Sequence, residues 1–351
     1  MNINKAYYGA EKDNRSELQK AQDYQADEVA SAAPVEWKEK IVDEWKKLPT
    51  RDQDGSSTCV AQVCTKLLGI ENLNEEGKFI VFSARDIYER RVNKPNSGMY
   101  GPDALKICSK FGATTEERLP SQKMSEAEIV SPFVRDSEDI KIAETYRAGG
   151  YVTIPIKIDR IADIIQNQKK GVLLFIYANW EEWTDVPTIK DRNLNLDTAL
   201  IRHGVTGVDT TLWKGEKAIV IDDSWGRFYG FNGQRVLTES FLKERCYFAG
   251  YLLDLSNKRT EPIPKPKFKF TKPLFFGLRN NEEVKMLQDM LKYEELFPQK
   301  IESTGNYLQI TGKAVRDWQV KHGIMDFANE KDTRKVRFGS KSVSLANKLY
   351  S

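Results

Sequence analysis

The chain has 351 residues, of which 40% are hydrophobic and 30% charged, with a formal net charge of +3. That length allows roughly two or three domains with a substantial core. The near-balanced charge gives no footing for a nucleic-acid partner, no apolar run approaches the ~20 residues of a membrane span, and four cysteines do not make a disulfide framework.

Residues 1–33 are polar and mixed in charge, as in Glu11-Lys12-Asp13-Asn14-Arg15, and read as an N-terminal arm. Three roles stand open for it: a disordered tail, a tether to neighbouring subunits, or an autoinhibitory segment. Met1 to Gly9 lack an apolar signal core, so synthesis in a cytoplasm without export by the general route is expected.

The next element starts near Cys59. Residues 58–68 read as a helix, with Ser57 or Thr58 as N-cap and Gly69 near its end. The thiol then projects from the first turn, where the helix dipole favours an anion. A nearby imidazolium lowers an ordinary thiol pKa of ~8.5 further towards the thiolate range. The chain has two histidines, His203 and His322, which nearly fixes the base of any cysteine-nucleophile mechanism by elimination.

His203 lies in an apolar run over 199–208 that reads as a buried strand. A second such run, Ala218-Ile219-Val220-Ile221, leads into Asp222-Asp223-Ser224-Trp225-Gly226. Two adjacent strands facing one helix N-terminus would unite Cys59, His203 and Asp223 as nucleophile, base and orienting group. Taken singly, a cysteine at a helix start or a histidine on an apolar strand is more often a core residue, and Cys64, Cys108 and Cys246 read that way.

Residues 256–273 form a Pro/Lys-rich stretch that reads as an extended linker. Beyond it, 283–291 and 311–324 carry apolar residues at helical spacing, the latter with Gly323 in the C′ position, and 342–349 reads as a third helix. His322 falls at a helix C-terminus and reads as a cap rather than a ligand. The expected division is an arm over 1–33, a catalytic domain over 34–255, the linker over 256–273 and a small domain over 274–351.

The segment from Arg51 to Cys59, with Gln53 six residues before the thiol, resembles the papain family of cysteine peptidases. The resemblance implies that the Gln53 side chain and the Cys59 backbone N–H form an oxyanion hole. His203 follows Cys59 by 144 residues, within the ~130–150 of that family. Asp223-Ser224-Trp225-Gly226 is similar to the family's Asn-Ser-Trp-Gly motif, with Trp225 shielding the histidine contact. Ala33-Pro34-Val35-Glu36-Trp37-Lys38 resembles the start of its mature domain, and Gly98-Met99-Tyr100-Gly101-Pro102 its glycine-bearing cleft loop. Gly98, Tyr100, Gly101 and Trp225 are thereby implied to line the substrate.

Three positions depart from the pattern. Asp223 replaces asparagine, Ser56 replaces a cysteine and Val60 replaces a tryptophan. The implied fold is α+β: a two-lobed papain-like domain, helical on one side and antiparallel β-barrel-like on the other, followed by a small three-helix domain.

Residues 274–350 resemble the three-helix peptidoglycan-binding domain through Val284-x-x-Leu287-Gln288, Gly305-Asn306-Tyr307 and Thr311-x-x-Ala314-Val315-x-x-Trp318-Gln319. Together the resemblances imply a cysteine endopeptidase cutting peptide cross-links of the bacterial cell wall, phage-encoded, and either virion-borne or released at lysis. No cofactor or metal is expected. The partners expected are a peptidoglycan or peptide substrate and, through residues 1–33, virion proteins. The alternatives are a structural virion protein retaining both folds as interaction modules, and a peptidase acting on proteins.

Overall fold

A computed structural model describes residues 7–20, 23–25, 29–30, 32–255, 265–298, 301–324 and 326–350. The chain separates into two compact units: residues 1–13 with 33–257, and residues 14–32 with 258–351. The arm read over 1–33 is thus shared between them. Of the linker read over 256–273, residues 256–264 lie outside the described residues, as do residues 1–6 of the arm. Residues 265–273 belong to the second unit, where Phe270 is buried.

In the first unit, two short strands β1 (Tyr7–Tyr8) and β2 (Ala10–Glu11) precede helix α1 (Cys59–Glu76). The helix starts where expected, but Gly69 does not end it. A Cβ at Gly69 would lie 2.6 Å from the Phe79 ring and 2.7 Å from the Ile80 carbonyl, so this glycine serves close packing inside the helix. Mid-helix glycine costs ~1 kcal/mol relative to alanine, and the contact with Phe79 and Ile80 requires it. Termination falls to Gly77, left-handed at φ 69°, whose N–H donates to the Leu73 carbonyl.

Strand β3 (Met99–Tyr100) leads directly into helix α2 (Gly101–Lys110), which packs beside α1. The remaining strands are β4 (Tyr151–Thr153), β5 (Val172–Ala178), β6 (Ile201–Trp213), β7 (Glu216–Asp222), β8 (Gln234–Thr238) and β9 (Cys246–Leu252). They hydrogen-bond in the antiparallel order β4-β9-β5-β6-β7-β8. Strand β5 is buried along nearly its whole length, which explains why Val172-Leu173-Leu174-Phe175-Ile176 shows no alternation.

The helical side closes over Cys64, Leu67, Phe82, Tyr88, Leu105 and Phe175, and the sheet side over Trp45, Val208, Val220 and Val236. Register positions the site. His203 pairs with Ile176 of β5 on one side, while β7 joins the other edge of β6 only from the Thr206–Asp222 pair onwards. Residues 201–205 therefore keep an edge that β7 does not reach, and an open strand edge recruits another extended segment. Strand β1 takes it, pairing parallel through Tyr7–Ile201 and Tyr8–Arg202.

The second unit holds helices α3 (Glu282–Tyr293), α4 (Gln309–Lys321) and α5 (Ser340–Tyr350), with strand pairing of Leu274–Phe275 against Arg337–Phe338. Val284, Leu287, Leu291, Val315, Trp318 and Phe338 are buried. Gln288 is a buried polar staple: its Nε2 donates to the Asn306 carbonyl at 3.1 Å and Thr311 Oγ1 at 3.0 Å, and its Oε1 accepts from Gly305 N at 3.0 Å. Gly305 sits at φ 76°, with a Cβ there only 2.9 Å from the Asn281 backbone. His322 is the C-cap of α4, and Gly323 follows at φ 73°.

Candidate active site

Cys59 is the first helical residue of α1 and is buried. The Gly204 N–H points at its Sγ from 3.4 Å. His203, also buried, sets Nε2 2.8 Å from Asp223 Oδ1. Its Nδ1 finds no nitrogen or oxygen partner among the described residues and faces the Cys59 thiol. Burial alone pushes the imidazole pKa down, but the Asp223 carboxylate and Cys59 outweigh it and raise His203 to about 9. Asp223 feels the converse: burial pushes its carboxyl up, while His203 and Arg235 together hold it down at about 2. Asp223 stands one residue past the end of β7, where the chain turns through Ser224 and Trp225 to Gly226 at φ 85°.

Trp225 lies against His203. Its ring lies 5.1 Å from the His203 ring between centroids, and the Trp183 ring lies nearly perpendicular to the imidazole at 5.8 Å. This aromatic shell excludes water and strengthens the charge interactions inside it. Gln53 is fixed through its Oε1, which accepts from Ser224 Oγ at 2.5 Å, leaving Nε2 as the donor face. That face donates to the Ser56 carbonyl at 2.5 Å and to the Tyr7 hydroxyl.

The Tyr7 hydroxyl therefore sits on the amide donor of Gln53. That hydroxyl donates to the Ser56 carbonyl at 3.3 Å, and burial, followed by the nearby Cys59, raises its pKa well above the ordinary phenol value. The two residues that follow complete the blockage. Gly9 N–H donates to the Arg202 carbonyl at 3.0 Å, Met99 N–H donates to the Gly9 carbonyl at 3.0 Å, and a Cβ at Gly9 would run into Cys59 Sγ. Strand β2 then pairs parallel with β3, Ala10 opposite Met99 and Glu11 opposite Tyr100.

The four residues implied to line substrate divide accordingly. Gly98, at φ 77°, is pressed by the Tyr8 and Gly9 carbonyls, where a Cβ would lie within 2.8 Å and 3.0 Å, and Tyr100 pairs with Glu11. Trp225 lies tilted against His203. Gly101 instead serves α2, where a Cβ would meet the Phe248 ring at 2.5 Å. The four cysteines are free. Sequence reasoning missed Tyr7, Trp183 and Arg235. The Tyr7-Tyr8-Gly9 cluster inside an otherwise polar arm was a signal for an ordered segment, whereas Arg235 carries no local mark.

Among solved structures the chain is similar to xylellain, a cysteine protease from Xylella fastidiosa, at 16% identity and a TM-score of 0.56, over 73% of this chain and 99% of that one. It also matches digestive procathepsin L 3 of Tenebrio molitor at 17% identity and a TM-score of 0.47, over 67% of this chain and 77% of that one. A third match is the bromelain protease of Ananas comosus, at 15% identity and a TM-score of 0.43, over 59% of this chain and 94% of that one. No family model matches, and the comparison with curated proteins returns no match. The chain has the papain-like fold, α+β in class, with a helical region at its C-terminal end.

Proposed function

We propose that this protein is a cysteine endopeptidase directed to peptide cross-links of the bacterial cell wall. The observation that carries the peptidase reading is that buried Cys59, at the first turn of α1, meets buried His203 and Asp223 from β6 and the end of β7, with Gln53 as an amide donor beside them. His203 Nδ1 takes the thiol proton, and the Cys59 sulfur attacks the scissile carbonyl. The Gln53 Nε2–H and the Cys59 backbone N–H then hold the oxyanion. The imidazolium returns the proton to the leaving amine, and water, deprotonated by His203, releases the acyl group from sulfur.

The wall substrate rests on the second unit, whose helices α3, α4 and α5, Leu287-Gln288 staple and Gly305 turn resemble the pattern of peptidoglycan-binding modules. A phage particle or lysate is the setting that fits both parts. The described state is latent: residues 7–11 fill the cleft, with the Tyr7 hydroxyl on the oxyanion donor. Because that segment closes the cleft, purified sacculi incubated with the Gly9→Ala protein should release new amino termini faster than with the parent, and adding Cys59→Ala to it should abolish that release. Cleavage of soluble peptides without cleavage of sacculi would favour a peptidase acting on proteins. Loss of both would leave a structural virion role.

A further inference from the structure

A buried cation that no part of the mechanism above uses stands directly behind the candidate base. Arg235, on β8, is 3% exposed and places Nε 2.8 Å from Asp223 Oδ2, the oxygen not engaged by His203. Its guanidinium lies over Trp183 at 5.1 Å and over Trp225 at 5.6 Å, the same two rings that wall His203. Among the described residues, the one other carboxylate paired with it is Asp185, 3.8 Å from Nη1 and mostly exposed. Asp222, the neighbour of Asp223, turns away to Lys66 at 2.6 Å and to Gln234 at 2.7 Å. From α1 the charged or titratable groups facing the pair are Cys59 and Lys66, and from β1 it is Tyr7.

We propose that Arg235 is a positioning residue for the His203 base: by holding Asp223 Oδ2 it fixes the carboxylate so that Oδ1 alone meets His203, and it cancels much of the carboxylate's charge. The Asp223–Arg235 pair then accepts the ring N–H as a partly neutralised acceptor, raising the His203 pKa less than an unpaired carboxylate would. A bare buried carboxylate would hold imidazolium too strongly for it to act as the acid that protonates a leaving amine. The two rings, set at 73° to one another, add cation–π attraction to the guanidinium. The catalytic meaning of this assignment rests on the peptidase reading; the electrostatic arrangement does not.

The chain's two histidines make the test direct. The imidazole resonances of the full-length protein are followed by NMR as pH is raised, with His322→Gln supplying the assignment. Arg235→Gln should raise the His203 pKa by ~1 unit or more, the low end of what a charge within about 4–6 Å produces. A fall instead would mean that Arg235 only holds the site together, and would overturn the proposal. Asp223→Asn leaves the cation unbalanced, so His203 should titrate lower in Asp223→Asn than in the double variant Asp223→Asn/Arg235→Gln. Equal values would show that the imidazole does not feel Arg235, and this comparison holds even if Arg235→Gln alone fails to fold. Peptide hydrolysis is measured separately: the double variant should exceed Arg235→Gln by at least several-fold, and no rescue would also overturn the proposal. An inactive parent with the expected order of titrations would remove the peptidase reading and leave the charge arrangement standing.

Discussion

Gly9→Ala is the sharpest perturbation of the occupied cleft. The segment is held by Tyr7 N–H to the Leu200 carbonyl at 2.7 Å, Gly9 N–H to Arg202, Met99 N–H to Gly9, the Tyr247 hydroxyl to the Ala10 carbonyl at 2.8 Å, and the Tyr7–Gln53 contact. At ~1 kcal/mol net each these contribute ~5 kcal/mol, and burial of Ala10 with part of the Tyr7 ring adds ~2 kcal/mol. Ordering five residues costs ~5 kcal/mol. The closed state is thus favoured by ~2 kcal/mol, or ~30-fold. A methyl at Gly9 would meet Cys59 Sγ and lie 3.0 Å from the Tyr7 hydroxyl, and overpacking of that kind costs ~1–3 kcal/mol. Iodoacetamide labelling of Cys59, followed by peptide mapping at neutral pH, should accelerate ~10- to 30-fold in Gly9→Ala. Gly55→Ala, where a Cβ meets nothing within 4 Å, should leave the rate alone. Cys108 and Cys246 should stay unlabelled in both, because burial pushes Cys246 up to about 12 and Cys108 well above the ordinary thiol range. An unchanged rate in Gly9→Ala would refute the reasoning, since the cleft would then not be closed by this segment.

Asp223→Ala should lower peptide hydrolysis more than Asp223→Asn, because asparagine still accepts a ring hydrogen bond; the Asn variant should also move the high-pH limb of the rate profile down from about 9. Equal losses in the two would exclude an orienting role. The same carboxylate–imidazole contact links stability to pH. His203 has a folded pKa raised from 6.5 to about 9, so its contribution is full below 6.5 and is lost as pH rises through 9. At 1.36 kcal/mol per unit the loss is ~3 kcal/mol, and urea midpoints should fall over that window in the parent but stay flatter in His203→Gln. Gly69→Val should destabilise the first unit by ~1–3 kcal/mol in urea through overlap with Phe79 and Ile80, and full stability would show that the contact relaxes freely. Trp318→Ala removes a buried ring from the second unit and should cost ~3–5 kcal/mol there. It should reduce cleavage of sacculi while sparing soluble peptides; an unchanged ratio of the two activities would dissociate that unit from wall targeting.

Helix and strand identity along the catalytic region was legible because it is local. The apolar runs around His203 and before Asp223 are strands, and Cys59 opens a helix, since period and capping depend on neighbours in sequence. The three C-terminal helices were legible for the same reason, although each is one or more residues longer or shifted at its ends. Gly69 misled because a glycine has two uses, left-handed termination and close approach, and only the presence of Phe79 and Ile80 decides between them. Cys59, His203 and Asp223 could be named from residue type and local pattern, and Gln53 only through the family resemblance, but the convergence of His203 and Asp223 depends on β7 joining β6 no earlier than Thr206. Tertiary structure alone decided the rest. Tyr7 reaches Gln53 across 46 residues by pairing on an edge the sheet leaves open, and Arg235 reaches Asp223 from the adjacent strand. Neither contact follows from local propensity, because each depends on strand register and on the low dielectric that burial creates around a charge.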